Sequence, residues 1–137
     1  MLVDKVIKYY DKEYDLNCAE CMLVAANEEY NLEVSKESLK LMSAFGGGLG
    51  IGSVCGAITG GSAVLGLMFT EERGHLSPHV KMMNIEFISK FHEEMGMKDC
   101  LPLKAEYFHE EDRCLKMMIT AAKSLEDVIN KYKERYI

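Results

Sequence analysis

A glycine-rich stretch without charge is the feature that most restricts how this chain of 137 residues can fold. The thirty residues of Leu41–Thr70 include no charged side chain, and nine of them are glycine. From Val54 onward the stretch is apolar on every side when it is drawn as a helix, and a helix of that kind is buried. Its small residues would let neighbouring helices approach its backbone closely. We therefore expect a helix over 53–70, capped by Ser53, at the centre of a helical bundle.

The same stretch fits a membrane span poorly. A spanning helix needs about 20 consecutive apolar residues, whereas the glycines at 46–52 interrupt this stretch and leave seventeen residues, 54–70, in one piece. The N-terminal residues are charged and amphipathic, without the apolar run of a signal peptide. We therefore predict a cytoplasmic protein with no membrane insertion.

Helical spacing of apolar residues continues on both sides of the central stretch. Asn17 and Ser35 are good N-caps, Ser77 followed by Pro78 is typical of a helix start, and Gly96 is typical of a helix end. The predicted helices span residues 2–14, 18–30, a short segment after 35, 53–70, 78–95 and 110–136, and residues 97–109 are interpreted as a loop. The sequence thus predicts an all-α fold, in which residues 1–137 form a single-domain bundle of about six helices around a buried, Gly-rich central helix.

The charge balance argues against a nucleic-acid partner. The chain carries a net charge of −6 and has an isoelectric point of about 5.2. Proteins that bind DNA or RNA neutralise phosphates with clustered Lys and Arg, and the basic residues of the last predicted helix are interleaved with acidic ones. We expect no nucleic-acid binding.

Five cysteines are an unusual number for a cytoplasmic chain of this length, because stable disulfides are rare in that compartment. Cys18 follows the Asn17 cap, and Cys55 lies two residues after Ser53, so both fall in the first turn of a predicted helix. Free amide groups and the helix dipole stabilise a thiolate there, which predicts a lowered pKa for both thiols. Cys21 completes a Cys-x-x-Cys motif with Cys18, but its position also fits simple packing.

The residues around the cysteines carry a family resemblance. They are Asn17-Cys18-Ala19, Phe45-Gly-Gly-Gly, Val54-Cys55-Gly56-Ala57-Ile58-Thr59-Gly60, and the single Cys100 and Cys114. Over nearly its whole length the chain resembles the C-GCAxxG-C-C family, which is named for redox activity. The resemblance implies four functional cysteines, which correspond here to Cys18, Cys55, Cys100 and Cys114. It leaves Cys21 as an additional cysteine.

The favoured function is redox chemistry with clustered cysteines, by thiol–disulfide exchange or electron transfer. In this interpretation a thiolate of low pKa, Cys55 or Cys18, attacks an oxidised partner protein or small molecule. Cys100 or Cys114 then resolves the mixed disulfide. Such a protein would be a thiol-dependent oxidoreductase, and the sequence identifies neither its substrate nor its electron donor.

Two other functions stay open at this stage. The same four cysteines could ligate zinc or an iron–sulfur cluster, with histidine or solvent completing the ligand set. Alternatively, the chain could be a non-enzymatic helical module that binds a partner, with cysteines as core residues. The sequence does not determine the oligomeric state, and a homodimer is compatible with it.

Overall fold

The computed structural model describes residues 1–137 and consists of helices and turns. The seven α-helices are α1 (Leu2–Tyr9), α2 (Cys18–Tyr30), α3 (Lys36–Leu39), α4 (Gly56–Phe69), α5 (Pro78–Met95), α6 (Cys100–Tyr107) and α7 (Leu115–Tyr136). Short 3-10 turns occupy 12–14, 40–42 and 74–76, and a π turn occupies 48–52. The prediction of an all-α fold is confirmed. None of the helices combines the length and apolar character that a membrane-spanning segment requires.

The central position predicted for the Gly-rich helix is also confirmed. Helix α4 packs against α2, α5 and α7. A Cβ atom added at Gly60 would lie 2.7 Å from the carbonyl oxygen of Ala19 in α2. One added at Gly61 would lie 2.5 Å from the ring of Phe87 in α5. Because glycine has no side chain, α2 and α5 can approach α4 at close range on different sides.

Most of the core lies between α1, α2, α4, α5 and α7, where twenty-nine buried residues form one cluster. Phe87 and Phe91 of α5 have no exposed surface. The seam predicted for the last helix is buried at Met118, Leu125 and Val128. Each fully buried side chain of this size contributes roughly 1.5–3 kcal/mol of hydrophobic stabilisation, so these helices need no disulfides to hold together.

The predicted end of α1 and the predicted start of α4 are wrong. Helix α1 ends at Tyr9 rather than near residue 14, because Asp11 caps a separate 3-10 turn through the N–H of Glu13. Helix α4 begins at Gly56 with Cys55 as its N-cap. Ser53 does not cap it, since the π turn of the glycine segment runs to Gly52 and Cys55 occupies the N-cap position.

The interpretation of residues 97–109 as a loop is wrong, because α6 lies inside this segment. Pro102 is its third residue, and a proline in the first turn removes an N–H that has no partner within the helix. The last helix begins at Leu115 rather than near residue 110. A tight turn precedes it, in which His109 pairs with Arg113 and Arg113 adopts the left-handed conformation with φ of 54°.

Candidate functional site

Four of the five cysteines line one cavity of about 250 Å³, which we call the thiol cavity. They are Cys18, Cys55, Cys100 and Cys114, the set that the family resemblance implies. Much of the remaining wall is apolar and includes Leu103 and Met117. The cavity lies where the starts of four helices meet, so the fold gathers thiols that are as much as 96 residues apart in the chain.

Each of these cysteines stands at the beginning of a helix. Cys18 is the first residue of α2 and Cys100 is the first residue of α6, whereas Cys55 and Cys114 are the N-caps of α4 and α7. Helix starts carry unpaired amide groups and a partial positive charge, which favour electron-rich groups. The sequence indicated this position for Cys18 and Cys55, but it missed the helix that begins at Cys100.

Two backbone hydrogen bonds position Cys55 and Cys100. The N–H of Cys55 donates to the carbonyl of Lys98 at 2.9 Å, and the N–H of Cys100 donates to the carbonyl of Ser53 at 2.6 Å. They form a short antiparallel bridge between the end of the glycine segment and the start of α6. Gly48 makes this approach possible. A Cβ atom there would lie 2.5 Å from backbone atoms of Ser53, and φ is 63°.

Cys18 is positioned by its neighbour Asn17. The side-chain oxygen of Asn17 accepts the N–H of Glu20 at 2.8 Å, and the Glu20 carboxylate accepts the N–H of Asn17 at 2.8 Å. This capping box confirms the predicted N-cap. The Asn17 amide nitrogen also donates to the carbonyls of Met42 and Ser43. Asn17 therefore ties the start of α2 to the segment that leads into the glycines.

Cys114 is held by Tyr10, the residue that follows α1. The N–H of Cys114 donates to the phenolic oxygen of Tyr10 at 2.9 Å. The guanidinium of the adjacent Arg113 donates to the carbonyl of Tyr10 and lies 4.2 Å from the centre of its ring. These contacts fix the start of α7 although 103 residues separate Arg113 from Tyr10.

The electrostatics of the thiol cavity favour one thiolate, that of Cys114. A hydrogen bond from the Cys18 thiol lowers the pKa of Cys114 to about 6, although burial opposes ionisation. The positive charges of Lys104 and Arg113 and a hydrogen bond from the Tyr10 hydroxyl lower this pKa further. Donating that hydrogen bond to Cys114, together with burial, raises the pKa of Cys18 well above its ordinary value. The two shifts therefore favour a thiolate at Cys114 and a protonated thiol at Cys18.

The lowered pKa values expected for Cys18 and Cys55 are wrong. Burial raises the pKa of Cys55 to about 11, although the amides of Ala57 and Ile58 at the helix start act in the opposite direction. Burial also raises the pKa of Cys100. A helix start contributes only a modest stabilisation of negative charge, and here desolvation exceeds it. The one sequence signal for Cys114 was the basic residue immediately before it.

Cys21 lies outside the thiol cavity. Its side chain is fully buried, and its sulfur donates to the carbonyl of Val6 at 3.6 Å. Burial raises its pKa to about 12. The Cys-x-x-Cys motif is therefore not a reactive pair in this fold, since one of its two thiols is a core residue.

The structure shows no ligand set for the alternative function, a metal or iron–sulfur site. No three side chains among His, Cys, Asp and Glu are arranged so that they could hold a metal ion. The cysteines share a cavity without forming such a group. Among the histidines, the ring of His79 has a structural role, because it contacts the carbonyl of Phe69 at 2.8 Å and stacks on Tyr136.

A helical fold that gathers four thiols around one cavity, and ionises one of them, belongs to the class of redox-active cysteine proteins. A family model described as "Putative redox-active protein (C_GCAxxG_C_C)" matches residues 16–128, and the chain belongs to this family. The match covers all four cysteines of the thiol cavity. Among curated proteins and among solved structures, no significant match was found.

Proposed function

We propose that this redox protein carries out thiol–disulfide exchange with Cys114 as the nucleophile and Cys18 as the resolving thiol. The observation that carries the proposal is that Cys18 and Cys114 line the same cavity, where interaction with the Cys18 thiol lowers the pKa of Cys114 to about 6. A thiolate is the reactive form of cysteine, and a pKa below the ambient pH keeps it populated. Cys18 is the least buried of the cavity cysteines, and its raised pKa keeps it protonated until Cys114 has reacted.

In the first step the Cys114 thiolate attacks one sulfur of a disulfide substrate. A bond forms between Cys114 and that sulfur, and the bond between the two substrate sulfurs breaks. The other half of the substrate leaves as a thiolate and takes up a proton. Loss of the Cys114 charge lowers the pKa of Cys18, because the thiolate that raised it has gone.

In the second step Cys18 gives up its proton and attacks the sulfur of Cys114. A Cys18–Cys114 disulfide forms, and the second half of the substrate leaves as a thiol after taking the proton. The two cysteines are thereby oxidised by two electrons and the substrate disulfide is reduced to two thiols. Cys55 and Cys100 line the wall around this exchange, and neither is needed for it.

The substrate in this proposal is a disulfide of a small molecule or of a partner protein. All five cysteines are free thiols. That state is compatible with a reducing compartment, and we propose that the protein acts in the cytoplasm.

The decisive experiment follows alkylation of each cysteine across pH. Iodoacetamide labelling is quenched at timed intervals between about pH 5 and about pH 9, and peptide mass spectrometry gives a rate for each thiol. We expect Cys114 to react fastest at neutral pH, with a midpoint near 6. Cys21 is the internal control, because it is buried and should stay unlabelled. A Cys114 midpoint at the ordinary thiol value would reject the proposal.

A second experiment separates the two roles. After treatment with a small disulfide, the wild-type protein should contain a Cys18–Cys114 disulfide, identified by peptide mapping. Cys18→Ser should accumulate a mixed disulfide on Cys114, because the resolving thiol is missing. Cys114→Ser should form neither product, and Cys21→Ala should behave like the wild type. A Cys114→Ser protein that still exchanges at the wild-type rate would contradict the assigned order.

A further inference from the structure

The charges around the thiol cavity are all of one sign. Its lining includes two charged residues, Lys104 and Arg113, and no Asp or Glu. The chain as a whole carries 22 acidic and 16 basic residues. The lining of the cavity is thus basic although the protein as a whole is acidic. Cations surrounded by low-dielectric walls concentrate negative ligands.

Both cationic side chains have hydrogen-bond donors that are not paired within the protein. Lys104 lies exposed in α6 and makes no ion pair or side-chain hydrogen bond. Its charge nevertheless acts on the thiols of Cys100 and Cys114, so the ammonium stands within electrostatic reach of the cavity sulfurs. Arg113 uses one nitrogen to donate to Tyr10, while its Nε is buried and has no hydrogen-bond partner.

The cavity is also small. Its volume of about 250 Å³ falls below the roughly 300–1,000 Å³ typical of drug-sized ligand pockets. A small molecule of about a dozen non-hydrogen atoms suits such a space, whereas a folded partner could reach only its rim. The apolar wall at Leu103 and Met117 suits the aliphatic part of such a molecule.

We propose that the thiol cavity selects small disulfides that carry negative charge, such as those bearing a carboxylate on each half. This inference rests on the proposed exchange function and names its class of substrate. The carboxylate lies near Lys104 and Arg113, and one sulfur faces Cys114. The reaction is the exchange described above: Cys114 bonds to one sulfur, the substrate disulfide breaks, and Cys18 releases the second half as a thiol.

The test compares three small disulfides of different charge: 3,3′-dithiodipropionate, bis(2-hydroxyethyl) disulfide and cystamine. The rate of exchange with the full chain is divided by the rate of each disulfide with a simple thiol in solution, which removes intrinsic differences in reactivity. We expect the corrected rate to be highest for the anion and lowest for the cation, about tenfold apart at low salt. Added salt should reduce this ratio, because it screens exposed charges.

Two variants identify the source of the preference. Lys104→Gln removes a cavity charge, and Lys81→Gln removes the same charge from an exposed site on α5 that does not line the cavity. The ratio of anion to cation rates is compared, because a change in the thiolate fraction of Cys114 affects both probes equally. We expect Lys104→Gln to lower this ratio severalfold and Lys81→Gln to leave it unchanged.

The possible results separate the inference from the function on which it rests. Equal corrected rates for all three probes, with exchange still present, would overturn the charge preference and leave the exchange function intact. An unchanged ratio in Lys104→Gln would overturn it too. Absence of exchange with every probe would overturn the proposed function and the substrate class together.

Discussion

The N–H of Cys114 donates a hydrogen bond to the phenolic oxygen of Tyr10, 104 residues earlier in the chain. Because this bond uses a lone pair of the oxygen, the hydroxyl proton of Tyr10 stays available, and this donor contributes to lowering the pKa of Cys114. The residue that follows α1 therefore positions the backbone of Cys114 and also favours its thiolate. Burial among these groups raises the pKa of Tyr10 itself, so the hydroxyl stays a donor.

Tyr10→Phe is expected to raise the pKa of Cys114, because the thiolate loses a hydrogen-bond donor. A hydrogen bond to a charged group contributes about 1.5–3 kcal/mol, which corresponds to about one to two pKa units. The pH profile of Cys114 alkylation measures the change. Tyr14→Phe is the matched control, since Tyr14 is 42% exposed and lies outside the cavity. A midpoint that stays near 6 in Tyr10→Phe would show that Tyr10 does not stabilise the thiolate.

Replacement of Cys18 tests the hydrogen bond that lowers the pKa of Cys114 most. Cys18→Ala removes the donor and should move the Cys114 midpoint from about 6 toward the ordinary value of about 8.5. The alkylation rate at neutral pH should then fall about tenfold, because less thiolate is present. Cys18→Ser keeps a hydroxyl donor and should retain part of the shift. Equal profiles for the Ala and Ser variants would contradict a hydrogen-bonding role.

The thiols also predict how stability varies with pH. The pKa of Cys114 is lower in the folded protein than in the unfolded chain, so its contribution to stability is present above the unfolded pKa and is lost as the pH falls toward about 6. Burial raises the pKa of Cys21 to about 12 and that of Cys55 to about 11. Their contributions are complete below the ordinary thiol pKa and are lost as the pH rises toward those values.

Urea unfolding at a series of pH values measures these contributions. The free energy of unfolding of Cys114→Ala should fall furthest below that of wild type at about pH 8 and least at about pH 5. The gap between the two proteins should change by at most about 1.4 kcal/mol per pH unit. Cys21→Ala should flatten the decline in stability above about pH 9. A difference between wild type and Cys114→Ala that is constant with pH would contradict the lowered pKa of Cys114.

The sequence predicted those parts of the fold that residues close together in the chain determine. The buried helix followed from its apolar surface and small residues, and the start of α2 followed from Asn17, whose side chain does accept the N–H of Glu20. Helix α6 was missed because it is only eight residues long, with Pro102 in its first turn, and has no clear apolar face. Short helices of this kind are stabilised by tertiary contacts rather than by propensity.

The sequence predicted which cysteines form the site better than it predicted their chemistry. The family resemblance identified the four cysteines that line the cavity. The thiol with the lowered pKa is that of Cys114, where interactions with Cys18 and Tyr10 favour the thiolate. Both contacts span about a hundred residues, and no local pattern encodes them. The sequence assigned the low pKa to Cys55 from its helix start alone, without the burial that raises the pKa there.

Two glycines of α4 offer a direct test of why this helix is rich in glycine. A Cβ atom at Gly60 would lie 2.7 Å from the carbonyl oxygen of Ala19, whereas one at Gly66 would have only the Thr70 hydroxyl 4.0 Å away. Gly60→Ala should therefore destabilise the protein by about 1–3 kcal/mol, because α2 and α4 must separate. Gly66→Ala should stabilise it by about 0.5–1 kcal/mol, because alanine restricts the unfolded chain and favours a helix. Urea unfolding of both variants measures the two effects, and similar changes would contradict the close contact of α2 and α4.

Because Cys18 and Cys55 stand at the starts of these two helices, Gly60→Ala should also raise the midpoint of Cys114 alkylation, whereas Gly66→Ala should leave it unchanged.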